Sequence, residues 1–296
     1  MSTNAADGSA HDLKQRLGRY GIWSRDFRPE EPARQTELNE SAAELEELGF
    51  GALWLGGNSS LALAAPLIGA TRTLTVGTSV QNIWLEGPAE TAAAFADLEA
   101  THPGRFLLGL GVGHAKLVEQ YRRPYSALVG YLDGLDAGGF PAGHRLLAAL
   151  GPRNLRLAGE RAAGAIPYLV TPDHTAYARD ILGPGPLLAP EVSVILSADP
   201  TEARALARAQ LGRYLTLPNY TDNFLRHGFT EDDLTDGGSD RLVDALFVWG
   251  DETRIHTHLE TFHKAGADHV ALQVFSPDTN TGLPRQAWRE LATLVG

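Results

Sequence analysis

Eight short β-rich runs alternate with helical patterns along 296 residues, and no other property of the chain restricts its fold as strongly. The runs are Tyr20–Trp23, Ala52–Leu55, Leu74–Val80, Phe106–Leu110, Leu146–Leu150, Ala165–Val170, Val192–Leu196 and His269–Phe275. Between the first two, Leu38, Ala42, Leu45 and Leu48 recur at three- and four-residue spacings, and Gly49 stands where a helix is commonly closed. Ala89–Ala100 follows Pro88, which suits a helix's first turn, and carries a narrow apolar stripe of Ala92, Phe95 and Ala96. Thr253–Ala265 repeats the scheme, with Asp251 as cap and Gly266 as stop. Eight such repeats in under 300 residues favour an α/β fold closed as a (β/α)8 TIM barrel over an open doubly wound sheet. The regularity breaks between Leu196 and His269, so residues 197–268 read as a helical insertion between strands seven and eight, on the face where barrels carry their sites.

Composition removes several functional classes. A formal charge of −11 with no clustered basic face argues against nucleic acid as a partner. No apolar run reaches the roughly 18 residues of a membrane span. The absence of cysteine excludes disulfides, thiolate catalysis and Cys-zinc sites, and fits a cytoplasmic chain. Residues 1–16, polar and small, read as a disordered arm ahead of a single domain from 17 to 296. The expected partner is a small molecule.

Chemistry-bearing residues gather at strand ends. Thr78, Ser79, Val80, Gln81 and Asn82 end the third strand, either as turn chemistry or as small groups that let a planar heterocycle approach the backbone. Gly109, Gly111 and Gly113 alternate after the fourth strand, around Val112. The third glycine comes too soon for a dinucleotide fingerprint, which leaves a tight turn or close passage of the backbone beside a flat ligand. After the fifth strand, Gly151-Pro152 starts a helix whose first N–H groups form an anion site, or else makes a simple turn. His114 directly follows the glycine-rich strand end. It either points into the barrel mouth as a proton-exchanging imidazole or serves as an exposed or capping group. His256, His258 and His263 are spaced too unfavourably on one helix to share an ion, so no metal is expected.

Four segments at consistent spacing carry a family resemblance: GTSV at Gly77–Val80, HPGRFLLGLGVGH at His102–His114, AALGPRNLRLAGERAAGAIPYLV at Ala148–Val170, and GADHVALQV at Gly266–Val274. Together they resemble the luciferase-like oxidoreductases, and within them the branch that uses coenzyme F420. The resemblance implies a barrel, usually a homodimer, holding the deazaflavin ring in its mouth. It also implies a non-prolyl cis peptide at Ser79-Val80 backing the ring, Gly109–Gly113 beside the ring, and Ala149, Leu150, Gly151 and Pro152 at the coenzyme phosphate. Two departures matter. Family dehydrogenases end the second strand in Asp-His, where this chain has Asn58, which hydrogen-bonds but accepts no proton. They place a carboxylate where this chain has His114. The expectation is therefore hydride transfer between the coenzyme and an unsaturated substrate. His114 is the proton partner, Asn58 orients the substrate, and Trp23 and Trp84 form apolar walls. An FMN-dependent monooxygenase and a cofactor-binding barrel without turnover are the alternatives.

Overall fold

The computed structural model describes residues 3–28, 34–114, 123–275 and 282–295. Eleven strands make one sheet: β1 (Tyr20–Ser24), β2 (Ala52–Gly56), β3 (Thr75–Ser79), β4 (Gln81–Asn82), β5 (Phe106–Gly111), β6 (Arg145–Leu147), β7 (Gly164–Ala165), β8 (Leu187–Leu188), β9 (Glu191–Ile195), β10 (Phe247–Trp249) and β11 (Val270–Phe275). All the pairings are parallel, in the order β10-β9-β11-β1-β2-β3-β5-β6-β7-β8, with β4 on β5. Only Ala189-Pro190 separates β8 from β9, and this bent run closes the ring. On one side Ala189 and Glu191 donate their N–H groups to the carbonyls of Ala165 and Pro167, and on the other the Asp268 and Ala271 N–H groups reach Leu188 and Pro190. The fold is the α/β barrel expected from the alternation.

The interior interlocks large side chains with missing ones. Trp54 fills the space at Gly77, where an added Cβ would lie 2.5 Å from its ring, and Trp23 occupies the space at Gly56 in the same way. The Trp54 indole donates to His269 Nε2 at 2.9 Å, and His269 Nδ1 lies 2.9 Å from the Gly18 carbonyl, which fixes the tautomer with the proton on Nδ1. Outside the barrel, Ile22, Leu53, Val76, Leu108 and Leu272 meet the helices Arg34–Glu47, Leu61–Gly69 and Pro88–Thr101 in a second apolar layer. The Asp251 side chain caps helix Glu252–Lys264 by accepting the Arg254 N–H at 2.9 Å.

Three expectations need correction. The expected disordered arm is a helix, Thr3–Leu17, apart from residues 1 and 2, which lie outside the described residues. Leu13 and Leu17, one turn apart, are buried beneath the barrel interior, and Lys14 pairs with Asp268 at 3.0 Å. The insertion is not wholly helical: β10 lies within it and pairs with β9, a three-residue strand too short to show alternation in sequence. The sixth predicted strand shrinks to two residues, since Pro167 has no N–H for the ladder and Leu169 takes a left-handed φ of 52°. No helix among the described residues is long and apolar enough to cross a membrane.

Candidate active site at the barrel mouth

The carboxyl end of β3 is a switch of register. The strand pairs with β2 up to Ser79 and with Phe106 and Leu107 of β5 at Val76 and Gly77; the Ser79-Val80 peptide is cis, and Gln81 and Asn82 then pair with Leu110 and Gly111 of β5, one residue out of the earlier register. Thr78 is buried, its hydroxyl donating to the Gly109 carbonyl at 2.9 Å. The two glycines of β5 serve this switch. A Cβ on Gly109 would overlap the Thr78 carbonyl oxygen, and one on Gly111 would lie 2.6 Å from the Val80 side chain. The space they leave is filled by the protein's own β3 end, and this tight packing is the structural role left open by the sequence. Gly113 takes a left-handed φ of 65°. Gln81 points outward, donating to Thr91 at 3.0 Å and to Tyr131 at 3.3 Å.

Beside this switch the interior-facing side chains form a floor. Trp23 is buried and donates its indole N–H to Ser79 Oγ at 2.9 Å, with Tyr168 at 5.5 Å between ring centroids. The Tyr168 hydroxyl donates to Gln273 Oε1 at 2.9 Å and accepts from the Tyr214 hydroxyl at 3.2 Å. Tyr220 packs edge-on against Tyr214 at 5.1 Å, and His114 lies 5.7 Å from Tyr220. Burial lowers the His114 pKa from its ordinary value, partly offset by a hydrogen bond to Asn219, so its imidazole is neutral near neutral pH. Glu191 is also buried here, with Ser193 Oγ donating to its Oε1 at 3.1 Å, and desolvation pushes its carboxyl up to about 8.

Asn58, in a left-handed conformation with a φ of 62°, is exposed at the end of β2 and accepts the Asn82 N–H at 3.2 Å. It joins two strand ends of the mouth. Asn82 Oδ1 accepts the Trp84 N–H at 3.2 Å, and the Trp84 indole donates to the Val112 carbonyl at 2.8 Å. Trp84 and Val112 pack with the outer apolar layer, whereas Trp23 belongs to the interior, so the two expected walls occupy different layers. Next around the barrel, Ala149 is buried and Gly151-Pro152 opens helix Pro152–Arg161, whose start has no side-chain cap. The Arg153 guanidinium stacks 3.5 Å from the Tyr125 ring centroid at that same start. His174 braces the preceding turn with Nε2 at 3.0 Å from the Leu150 carbonyl.

Of this floor, the sequence marks Trp23 and His114 alone. Tyr168, Glu191, Ser193, Gln273, Tyr214 and Tyr220 were not selected, although polar Glu191, Ser193 and Gln273 inside otherwise apolar strands were a readable signal. The two insertion tyrosines gave none, because nothing local indicates which strand ends they reach. Among the described residues, no group of three or more His, Cys, Asp or Glu gathers as a metal-ligand set.

Residues 19–132 match the family model described as luciferase-like monooxygenase, a span that contains the Gly77–Val80 and His102–His114 segments of the resemblance. No curated protein matches the chain in sequence. Among solved structures, an F420-dependent secondary alcohol dehydrogenase in complex with an F420-acetone adduct superposes with a TM-score of 0.70 at 16% identity, covering 94% of this chain and 99% of that one. A coenzyme F420-dependent tetrahydromethanopterin reductase from Methanopyrus kandleri gives 0.66 at 18% identity, over 92% and 96% of the two chains. The FMN-bound oxygenating constituent of 3,6-diketocamphane monooxygenase from Pseudomonas putida gives 0.63 at 18%, over 86% and 91%. At these identities the likeness establishes the fold, and the fold serves both cofactors.

Proposed function

We propose that the protein is a luciferase-like oxidoreductase that holds coenzyme F420 at the barrel mouth and serves hydride transfer with an unsaturated small organic substrate. The observation that carries this reading is the uncapped start of helix Pro152–Arg161, with Arg153 beside it, at the same barrel end as the Ser79-Val80 switch. A helix start of that kind takes a phosphate, and the switch lies where the resemblance puts the ring's backing. Ala149–Pro152 would hold the phosphate. Thr78, Ser79, Val80, Asn82 and the Gly109–Gly113 segment would border the ring.

When bound, the deazaflavin supplies hydride chemistry at its C5 carbon. The chain's own groups position and exclude. Trp23, fixed by Ser79, forms an apolar wall deep in the mouth, while Trp84 braces the Asn82 turn from the outer side. Asn58 presents its amide at the rim as a hydrogen-bonding guide for the substrate. His114, neutral and tied to Asn219, is placed to hold or pass a proton at the rim. As a test, His114→Ala lowers turnover more than coenzyme affinity; the reverse pattern makes it a binding residue. Titrating the purified apoprotein with coenzyme F420 and FMN separates the cofactors: tight FMN binding without deazaflavin binding refutes the assignment and favours the monooxygenase reading. Pairing into a homodimer, which the resemblance implies, is checked by sedimentation.

A further inference from the structure

Glu191 has no task in this account. It sits at the start of β9 on the face it shares with Ser193, while the alternating Val192 and Val194 pack into the outer layer, so its side chain faces the barrel interior. Across the register Glu191 lies opposite Ala271, and Ser193 opposite Gln273, the residue that receives the Tyr168 hydroxyl. The residue is 1% exposed, and its Oε2 has no hydrogen-bond partner among the described residues. Oε1 receives Ser193, and the Leu169 backbone also bonds the carboxyl. A buried polar atom without a partner is costly and is a place where a ligand supplies the missing bond.

The surroundings decide which ligand. Glu191 is close enough to Tyr168 and Tyr220 to raise both phenols, and Tyr214 and Trp23 adjoin the same cluster. Among the described residues, the other ionisable groups on this cluster are His114, against Tyr220, and Arg213, which lies 4.8 Å from the Tyr214 ring centroid and is itself exposed. Neither pairs with the Glu191 carboxyl. An acid without a counter-cation, walled by electron-rich rings, attracts an organic cation through both the carboxylate and the ring faces.

We propose that Glu191 anchors the substrate subsite of this mouth and that the subsite takes a protonated amine or iminium, walled by Trp23, Tyr168, Tyr214 and Tyr220. The inference rests on the reading of the barrel mouth as the substrate site, but not on the identity of the cofactor. Glu191 is neutral in the free protein. The arriving cation ionises it, so one proton leaves as the ligand binds.

The test uses full-length apoprotein, with benzylamine, benzyl alcohol and benzoate as probes in calorimetry and fluorescence titrations. Benzylamine should bind at least about tenfold more tightly than benzyl alcohol, as expected of a charge-assisted bond. It should release close to one proton near pH 7, and its affinity should rise with pH until the acid's own titration near 8. Glu191→Gln should remove both the preference and the proton release. Ser193→Ala keeps the acid but deletes a donor to its charged form, so the midpoint of the pH dependence should move upward. Equal binding of benzyl alcohol or benzoate, a preference surviving Glu191→Gln, or an unmoved midpoint in Ser193→Ala overturns the proposal. A parallel coenzyme titration keeps the two readings apart. Proton-linked benzylamine binding without coenzyme binding supports the subsite and refutes the oxidoreductase reading; coenzyme binding without benzylamine binding does the opposite.

Discussion

Gly109→Ala separates two reasons for a glycine at the end of β5. If the glycine leaves room for a ring, the variant folds normally and loses coenzyme affinity. The geometry requires something else, because the new methyl would overlap the Thr78 carbonyl oxygen, and that oxygen belongs to backbone held in the β3 switch. Overpacking typically costs about 1–3 kcal/mol, toward the upper end where backbone must move. Displacing Thr78 also stretches its 2.9 Å bond to the Gly109 carbonyl, worth about 1 kcal/mol. The expected loss is about 3 kcal/mol, which for a chain of this length lowers Tm by about 6 °C. Gly111→Ala is the internal control. Its methyl meets only the Val80 side chain, at 2.6 Å, and should cost about 1 kcal/mol. Thermal and urea unfolding of the two apoproteins, followed by circular dichroism, reads the difference. Two variants as stable as the parent, both with weakened coenzyme binding, would refute the packing argument.

His174 and His269 are both buried and lowered to about 4, mainly by desolvation, so the unfolded chain binds more protons below about 6.5. Stability should therefore fall between pH 6.5 and 4, by up to about 3 kcal/mol per histidine, which urea midpoints at pH 7 and 5 will show. Glu191 acts in the opposite direction over an overlapping window: raised to about 8, it makes the folded state bind more protons above about 4.5, and stability declines as pH rises from about 4.5 toward 8. Glu191→Gln should flatten that decline between about pH 4.5 and 8, and a slope unchanged in the variant contradicts the assignment. Deleting residues 1–17 removes buried Leu13 and Leu17, at about 1.5–3 kcal/mol each, and should lower the urea midpoint markedly; an unaltered midpoint means the helix is dispensable.

The barrel was readable because its cause is local and periodic. Leu38, Ala42 and Leu45 bury one helix face, and Ile22, Leu53 and Val76 supply strand interiors in turn, so alternation alone implied a parallel closed sheet. Strand ends were readable for the same reason, as Gly109, Gly111, Ser79 and Gly151 mark where apolar runs stop. Their roles were less legible. That Gly109 yields to the Thr78 carbonyl depends on two strands 31 positions apart meeting in one register. The amino-terminal helix reads as an arm because Leu13 and Leu17 are its buried apolar residues among the described side chains, and their burial site is the underside of a barrel built by later residues. Tyr214 and Tyr220 likewise became part of the mouth only when the insertion folded back over Tyr168.

The sequence by itself thus determined the layer architecture and the strand ends, because periodicity and glycine or proline placement act over a few residues. Tertiary structure alone decided which polar groups share the barrel floor. The Glu191 carboxyl lost its water and gained phenol neighbours through contacts among Tyr168, Ser193, Gln273 and the insertion, and desolvation depends on what the whole chain encloses.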